Sequence, residues 1–239
     1  MSRWDGLRGQ TALVTGASRG IGARIAERLA ESGARVWAMA RSADVLERLA
    51  AETGASALPA DLGDDTSVWD ALDRLQDELG GPPSLVVNAA GVFGLAPVAT
   101  ESVRSFDAHL SVNLRGTFLV VRSLLPAMLE RGEGLIVNVG SVAGRKAFPG
   151  NGAYSASKFG LRGFHEVLLE ELRGTGVRAT LLEPAATDTS LWDDLDPDAD
   201  PSLPDRSAMM LPDDVAETVL FLATRPARVR IPVLQIERS

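Results

Sequence analysis

Short, continuously apolar runs alternate with helical patterns along the whole chain, and this alternation constrains the fold more than any other feature. Runs of strand type occupy 11–16 (TALVTG), 34–40, 55–61, 84–91, 134–140, 177–184 and 230–236. Between them, apolar residues recur at helical spacing. The first set is Ile21, Ile25, Ala26 and Leu29, and the second is Val45, Leu46 and Leu49. The third, Val68, Trp69, Leu72, Leu75 and Leu79, stops at Gly80-Gly81-Pro82. A long helical pattern covers 101–131 with a break near Asn113, another covers 153–173 and ends at Gly174, and a last one covers 212–224 with an acidic first turn suited to the helix dipole. Strands without polar alternation are buried on both faces, as parallel strands between two layers of helix are. Right-handed crossovers then give an α/β fold, a Rossmann-like doubly wound parallel sheet in a single domain, for which 239 residues suffice. Pro232 lacks an N–H and places the last run at an edge or an irregular position. The segment 188–207, rich in Asp and Pro and without periodicity, reads as a mobile loop or lid.

Charge and composition exclude several classes of function. The formal net charge is −8, which argues against nucleic acid and anionic membrane surfaces as partners. Without cysteine there is no disulfide, thiolate metal site or cysteine nucleophile. His109 and His165 lie far apart and lack metal-ligand spacing, so no metal is expected. The first residues lack the apolar core of a secretion signal, and no apolar run looks long enough to span a bilayer. A cytoplasmic protein is the expectation.

The first strand runs into TGASRGIG, with Gly16, Gly20 and Gly22 spaced G-x-x-x-G-x-G at the opening of a helix. Glycines let the backbone turn tightly and bring its N–H groups close to a phosphate, while the helix N-terminus favours the negative charge. The end of the second strand selects the nucleotide, since an acid there binds the free ribose hydroxyl of NAD. Here it reads Ala40-Arg41, with no carboxylate. Arg19, in the glycine turn, can approach the same place. Two guanidiniums around a phosphate predict NADP(H).

The chain has one tyrosine, Tyr154, and it stands four residues before Lys158, one of two lysines among cations that are otherwise all arginine. At that spacing both side chains lie on one helix face. A nearby ammonium stabilises a phenolate and suits the phenol to general acid/base work. With TGASRGIG, ADLGD, NAAG (88–91), SVNLRG, VNVGSVAG and YSASK in this order, the chain resembles the short-chain dehydrogenase/reductase family over nearly its whole length. The resemblance implies a catalytic set of Asn113, Ser141, Tyr154 and Lys158. In it Tyr154 is the acid/base, Ser141 holds the substrate oxygen, Lys158 lowers the Tyr pKa and binds the nicotinamide ribose, and Asn113 supports a relay toward Lys158 at a helix irregularity. Implied cofactor contacts are Gly16, Ser18, Arg19, Gly20, Ile21 and Gly22 in the turn, with Arg41, Asp61 and Leu62 beyond it. Asn88, Ala89 and Gly91 follow, then Tyr154 and Lys158, then Pro184, Thr187 and Thr189.

The family motif N-N-A-G has Ala89 in its second place here, and the usual Pro-Gly after strand six is Pro184-Ala185. The tail is similar to that of NADP-dependent serine and 3-hydroxy acid dehydrogenases. An NADP(H)-dependent ketone or aldehyde reductase is the leading expectation, with a loop over 188–210 contacting a small carbonyl or alcohol substrate. A 3-oxoacyl-thioester reductase, a 3-hydroxy acid (serine-type) dehydrogenase, a sugar-nucleotide epimerase and a non-enzymatic NADP-binding regulator are the alternatives. Arg145 and Lys146 stand close to Ser141 in sequence and are candidates to meet a carboxylate or a phosphopantetheine-linked substrate, or are ordinary solvated charges. Seven acids between Asp188 and Asp205, with no base among them, disfavour polyanionic ligands. The helices at 101–131 and 153–173 resemble those through which family members form homodimers and homotetramers.

Overall fold

The computed structural model describes residues 5–239. Its strands are β1 (Thr11–Thr15), β2 (Arg35–Ala40), β3 (Ser56–Pro59), β4 (Leu85–Asn88), β5 (Gly134–Val139), β6 (Val177–Pro184) and β7 (Val233–Ile236). All pair in parallel, in the order β3-β2-β1-β4-β5-β6-β7. The helices are α1 (Gly20–Glu31), α2 (Ala43–Thr53), α3 (Asp65–Leu79), α4 (Val103–His109), α5 (Thr117–Arg131), α6 (Gly152–Glu171) and α7 (Pro212–Ala223). Side chains alternate across each strand and so feed two cores. Ala12 and Val14 join Ile25, Leu29, Leu46, Val215 and Val219 under α1, α2 and α7. Leu13 joins Val68, Leu72, Val120, Leu124, Met128 and Leu168 under α3, α5 and α6. This two-sided burial is why the strands carry no polar alternation.

The break near Asn113 is a π-helical turn, Leu110–Gly116, joining α4 to α5 without an interruption of the helix. By length and composition the resulting 29-residue stretch Val103–Arg131 could cross a membrane, contrary to the sequence expectation. In the fold its Leu119, Val120, Val121, Leu124 and Met128 are buried against the sheet as core. The strand expected at 230–236 begins only at Val233 and lies at the sheet edge. Pro232, just before it, offers its carbonyl to Leu181 N (2.9 Å) and to His165 Nε2 (3.0 Å).

The sheet changes winding direction between β1 and β4, and a crevice opens at the carboxyl ends of the strands there. The segment expected to be an irregular loop carries two 3₁₀ turns, Ser190–Leu195 and Arg206–Ala208. Its two ends run side by side: Asp188 N donates to Met210 O (2.8 Å) and Met210 N to Ala186 O (2.9 Å).

Candidate active site

The crevice holds a cavity of about 960 Å³ that runs from the glycine turn to Tyr154. At one end Gly16 has φ +71°, and a Cβ there would stand 2.6 Å from Ala90 Cα. A Cβ on Gly22 would fall 2.3 Å from Gly16 O, so the start of α1 closes onto the turn only because both residues lack side chains. Ser18, Arg19, Gly20 and Ile21 complete this wall, with Arg41, Asp61 and Leu62 beside it. Arg19 and Arg41 are exposed, and neither forms an ion pair among the described residues. Asp61 receives the Gly63 N–H on Oδ1 (2.9 Å) and is fixed through its own N–H by Ser67 Oγ (3.0 Å). Pro184, Thr187 and Thr189 line the opposite side, and Thr189 Cγ2 sits against Gly20.

At the other end β5 and α6 bring three expected residues together. Ser141 follows β5 and receives the Ala143 N–H on Oγ (3.1 Å). Tyr154 and Lys158 occupy the first turns of α6. Lys158 Nζ donates to Val139 O (2.9 Å) and lies 5.6 Å from the Tyr154 ring centroid. Burial lowers the Lys158 pKa to about 8. Burial also raises the Tyr154 phenol, and a hydrogen bond with Ser141 counters part of that rise. The sequence reading expects Lys158 to bring the phenol down; in the ligand-free protein desolvation outweighs any such effect.

Two expected site residues do not reach the cavity. Asn88 is buried in the sheet and donates through Nδ2 to Asn138 Oδ1 (2.9 Å), so its neighbours Ala89 and Gly91 line the cavity without it. Asn113, on the π turn, is fully buried. Its Oδ1 accepts from Val92 N (2.8 Å), and its Nδ2 donates to Val92 O and Ser157 Oγ (both 3.0 Å). Ser157 Oγ in turn donates to the Tyr154 carbonyl (2.6 Å). Asn113 thus ties the loop after β4 to the backbone behind Tyr154, and its own hydrogen bonds do not include Lys158.

Around Tyr154 the cavity wall combines apolar Phe93, Leu95 and Trp192 with Asn151, Ser190, Asp200 and Ser202. The Phe93 ring meets Tyr154 edge-on at 4.9 Å and Trp192 at 4.8 Å. Trp192 is anchored by its Nε1 on Thr187 O (3.1 Å). Neither candidate cation lines the cavity, although Phe148, beneath Lys146, does. Arg145 turns toward the buried Glu183 (3.7 Å), which Arg162 also pairs (2.8 Å), and Lys146 Nζ stands over Phe148 at 5.3 Å. The acidic segment is held by the arginine that ends it: Arg206 bonds Asp188 (2.6 Å) and Asp193 (2.7 Å), and its N–H donates to Asp198 (2.8 Å). Sequence reasoning missed Asn151, which lines the cavity three residues before Tyr154. An Asn at a helix start reads as a cap, which hides any other role.

A glycine-walled crevice at the winding reversal of a parallel sheet, continuous with a Ser–Tyr–Lys cluster, defines a Rossmann-type oxidoreductase. Comparison with known proteins narrows the class. The family model described as short chain dehydrogenase matches residues 10–200, and the chain belongs to that family. It is 40% identical over 230 residues to D-threitol dehydrogenase of Mycolicibacterium smegmatis, covering 92% of this chain and 88% of that protein. Among solved structures it is similar to a metagenomic short-chain oxidoreductase in complex with NADP (33% identity, TM-score 0.83, 98% of each chain). It is also similar to the closed form of a serine dehydrogenase complexed with NADP+ (32% identity, TM-score 0.88, 95% of this chain and 94% of that one). The protein is therefore an oxidoreductase of alcohol/carbonyl substrates that uses a nicotinamide cofactor.

Proposed function

We propose that the protein is an NADP(H)-dependent reductase of ketones or aldehydes. The observation that carries this reading is the single cavity joining the glycine turn with Arg19, and Arg41 after β2, neither in an ion pair among the described residues, to Ser141, Tyr154 and Lys158. The residues fit the cofactor. The Gly16–Gly22 cradle, which any Cβ would fill, would receive the pyrophosphate at the α1 N-terminus. Arg19 and Arg41 would hold the phosphate that distinguishes NADP from NAD, and Asp61 and Leu62 would serve the adenine end. Ala89, Gly91, Pro184, Thr187 and Thr189 would hold the nicotinamide half.

When bound, the nicotinamide supplies or accepts hydride. The chain does the rest by position and protonation. The Ser141 hydroxyl holds the carbonyl oxygen. The Tyr154 phenol gives that oxygen its proton in reduction and removes one from the alcohol in oxidation. Lys158 holds the ribose and places positive charge beside the phenol. Asn113 is a positioning residue that acts through Val92 and Ser157. Phe93 and Trp192 exclude water from the reacting face. Exposed Phe118, Phe159 and Val167 on α5 and α6 support assembly of the chain into a homo-oligomer through those helices.

Tyr154→Phe tests the assignment. Turnover of carbonyl substrates with NADPH is expected to fall by about three orders of magnitude while NADPH binding survives. Undiminished turnover would remove Tyr154 from the role. Retained binding with no turnover in the wild-type protein, over a broad panel of ketones and aldehydes, would favour a nucleotide-binding regulator.

A further inference from the structure

We infer that Glu183 is a positioning residue: its carboxylate clamps the turn that carries Ser141 to α6, and so keeps the Ser141 hydroxyl in hydrogen-bond reach of the Tyr154 phenol. Its consequence for turnover rests on the carbonyl/alcohol reading above, whereas its first test needs no substrate.

Glu183 is the penultimate residue of β6 and is only 1% exposed. A carboxylate taken that far from water requires opposite charge and hydrogen bonds around it. Its two oxygens meet three different elements. Oε1 accepts from Arg162 Nη1 on α6 (2.8 Å). Oε2 accepts from Gln235 Nε2 on β7 (3.2 Å) and lies 3.7 Å from Arg145 Nε. Arg162 stands four residues after Lys158, on the same face of the helix. Arg145 ends the 3₁₀ turn Val142–Gly144, which Ser141 begins. Glu166, at 3.2 Å from Arg162 Nε, is the other acid at this joint.

The Ser141 turn is packed from both sides. On the side of β6, Gly140 donates its N–H to Leu182 O (2.7 Å), and a Cβ on Gly140 would stand 3.4 Å from Glu183 Cγ. On the side of α6, a Cβ on Gly144 would fall 2.9 Å from Lys158 O, so the turn lies directly on the helix backbone. Arg145 from the turn and Arg162 from the helix converge on one carboxylate. A buried ion pair is seldom a net source of stability, since desolvation offsets the attraction. What this one supplies is register between the two elements that carry Ser141, Tyr154 and Lys158. A hydrogen bond weakens steeply once its geometry slackens, so play at this joint reaches the bond between Ser141 and Tyr154.

Tyr154 is the one tyrosine of the chain, so the absorbance of its phenolate reports on the site directly. The test titrates that absorbance in the wild-type protein, Glu183→Gln, Ser141→Ala and the double variant, with circular dichroism confirming the fold at each pH. Lys158 (5.6 Å) and His109 (6.2 Å), which face the phenol ring, are the same in all four. Glu183→Gln is expected to raise the midpoint toward that of Ser141→Ala, because the hydrogen bond that holds the phenol down is weakened. The double variant is expected to titrate with Ser141→Ala and no higher. Loss of a nearby negative charge alone moves a phenol the opposite way. A midpoint that falls or stays put in folded Glu183→Gln, or shifts that add in the double variant, overturns the inference. Turnover gives the second reading, on whichever ketone or aldehyde of the panel the wild-type protein reduces fastest with NADPH. There Glu183→Gln is expected to lower kcat at least about tenfold with NADPH affinity unchanged, and to cost nothing further in Ser141→Ala. If Glu183→Gln does not fold, Arg145→Gln, which leaves Arg162 on Glu183, takes its place and is judged by its own double variant with Ser141→Ala. Failure of the whole panel overturns the reductase reading, and the phenol titration then decides the clamp by itself.

Discussion

Lys158 is an ammonium held 5% exposed with one carbonyl as its hydrogen-bond acceptor. Burial disfavours its charged form, so its pKa falls from 10.5 to about 8. Below pH 8 both folded and unfolded chains hold the proton and the penalty is complete. Between about 8 and 10.5 the unfolded chain binds more protons, so stability rises with pH. Lys158→Met is therefore expected to stabilise the ligand-free protein by roughly 1–3 kcal/mol at pH 7, with the gain shrinking toward pH 10, as read by urea denaturation at each pH. The same variant loses activity, a trade of stability for function. Ser141 pulls the buried Tyr154 phenol down against desolvation. In Ser141→Ala the alkaline pKa in the pH profile of alcohol oxidation is expected to move up, alongside a loss of kcat/KM of about a hundredfold. Tyr154 and Lys158 were legible in the sequence because their partnership is local, four residues on one helix. Arg145 was not, because Glu183, which turns it away from the cavity, comes from a different strand. Asn88 was misplaced for the same reason, its partner Asn138 lying on the neighbouring β5.

The π turn ties the loop after β4 to the backbone behind Tyr154. Its wider winding turns Asn113 inward, where one amide satisfies both backbone groups of Val92 and the Ser157 hydroxyl. Asn113→Ala leaves those buried groups unpaired, and a loss of about 2–4 kcal/mol is expected, visible as a fall in Tm together with a lower kcat/KM. A variant with unchanged Tm and unchanged kcat/KM would remove Asn113 from its positioning role. The sequence pattern over 101–131 shows that something breaks near Asn113. It does not show what, because a π turn leaves the apolar spacing on either side almost intact. The strands were legible for the opposite reason: burial on both faces favours unbroken apolar runs, which residues 12–14, 36–40, 85–87 and 135–137 supply, whereas β6 carries Arg178, Thr180 and Glu183.

At the scale of the molecule, the order β3-β2-β1-β4-β5-β6-β7 places the crevice between two halves of the sheet, each contributing walls to the same cavity. Right-handed crossovers made a doubly wound sheet legible, whereas the position of each strand within it emerges only from packing. A ligand that bridges the halves stabilises the whole fold by linkage, by about 2.7 kcal/mol at a hundred times its Kd. NADPH is therefore expected to raise Tm well above the effect of equal NADH, and Arg41→Ala to narrow the gap between them. Equal shifts in the wild-type protein would show that Arg19 and Arg41 do not select. In light scattering the chain is expected at a multiple of its 25.3 kDa mass.

The segment from Thr187 to Met210 begins beyond β6 and ends before α7, and its two ends meet through the paired backbones of Ala186–Asp188 and Met210. Arg206 ties its two halves together through Asp188 and Asp193, and its Trp192 is anchored on its own stem at Thr187. The entropy of closing such a loop rises only slowly with its length, by about 0.6 kcal/mol per doubling. Such a segment is an interchangeable cassette: evolution or a protein engineer can replace the residues between Thr189 and Met209 to suit another substrate while the machinery that binds the nucleotide and moves the proton stays in place.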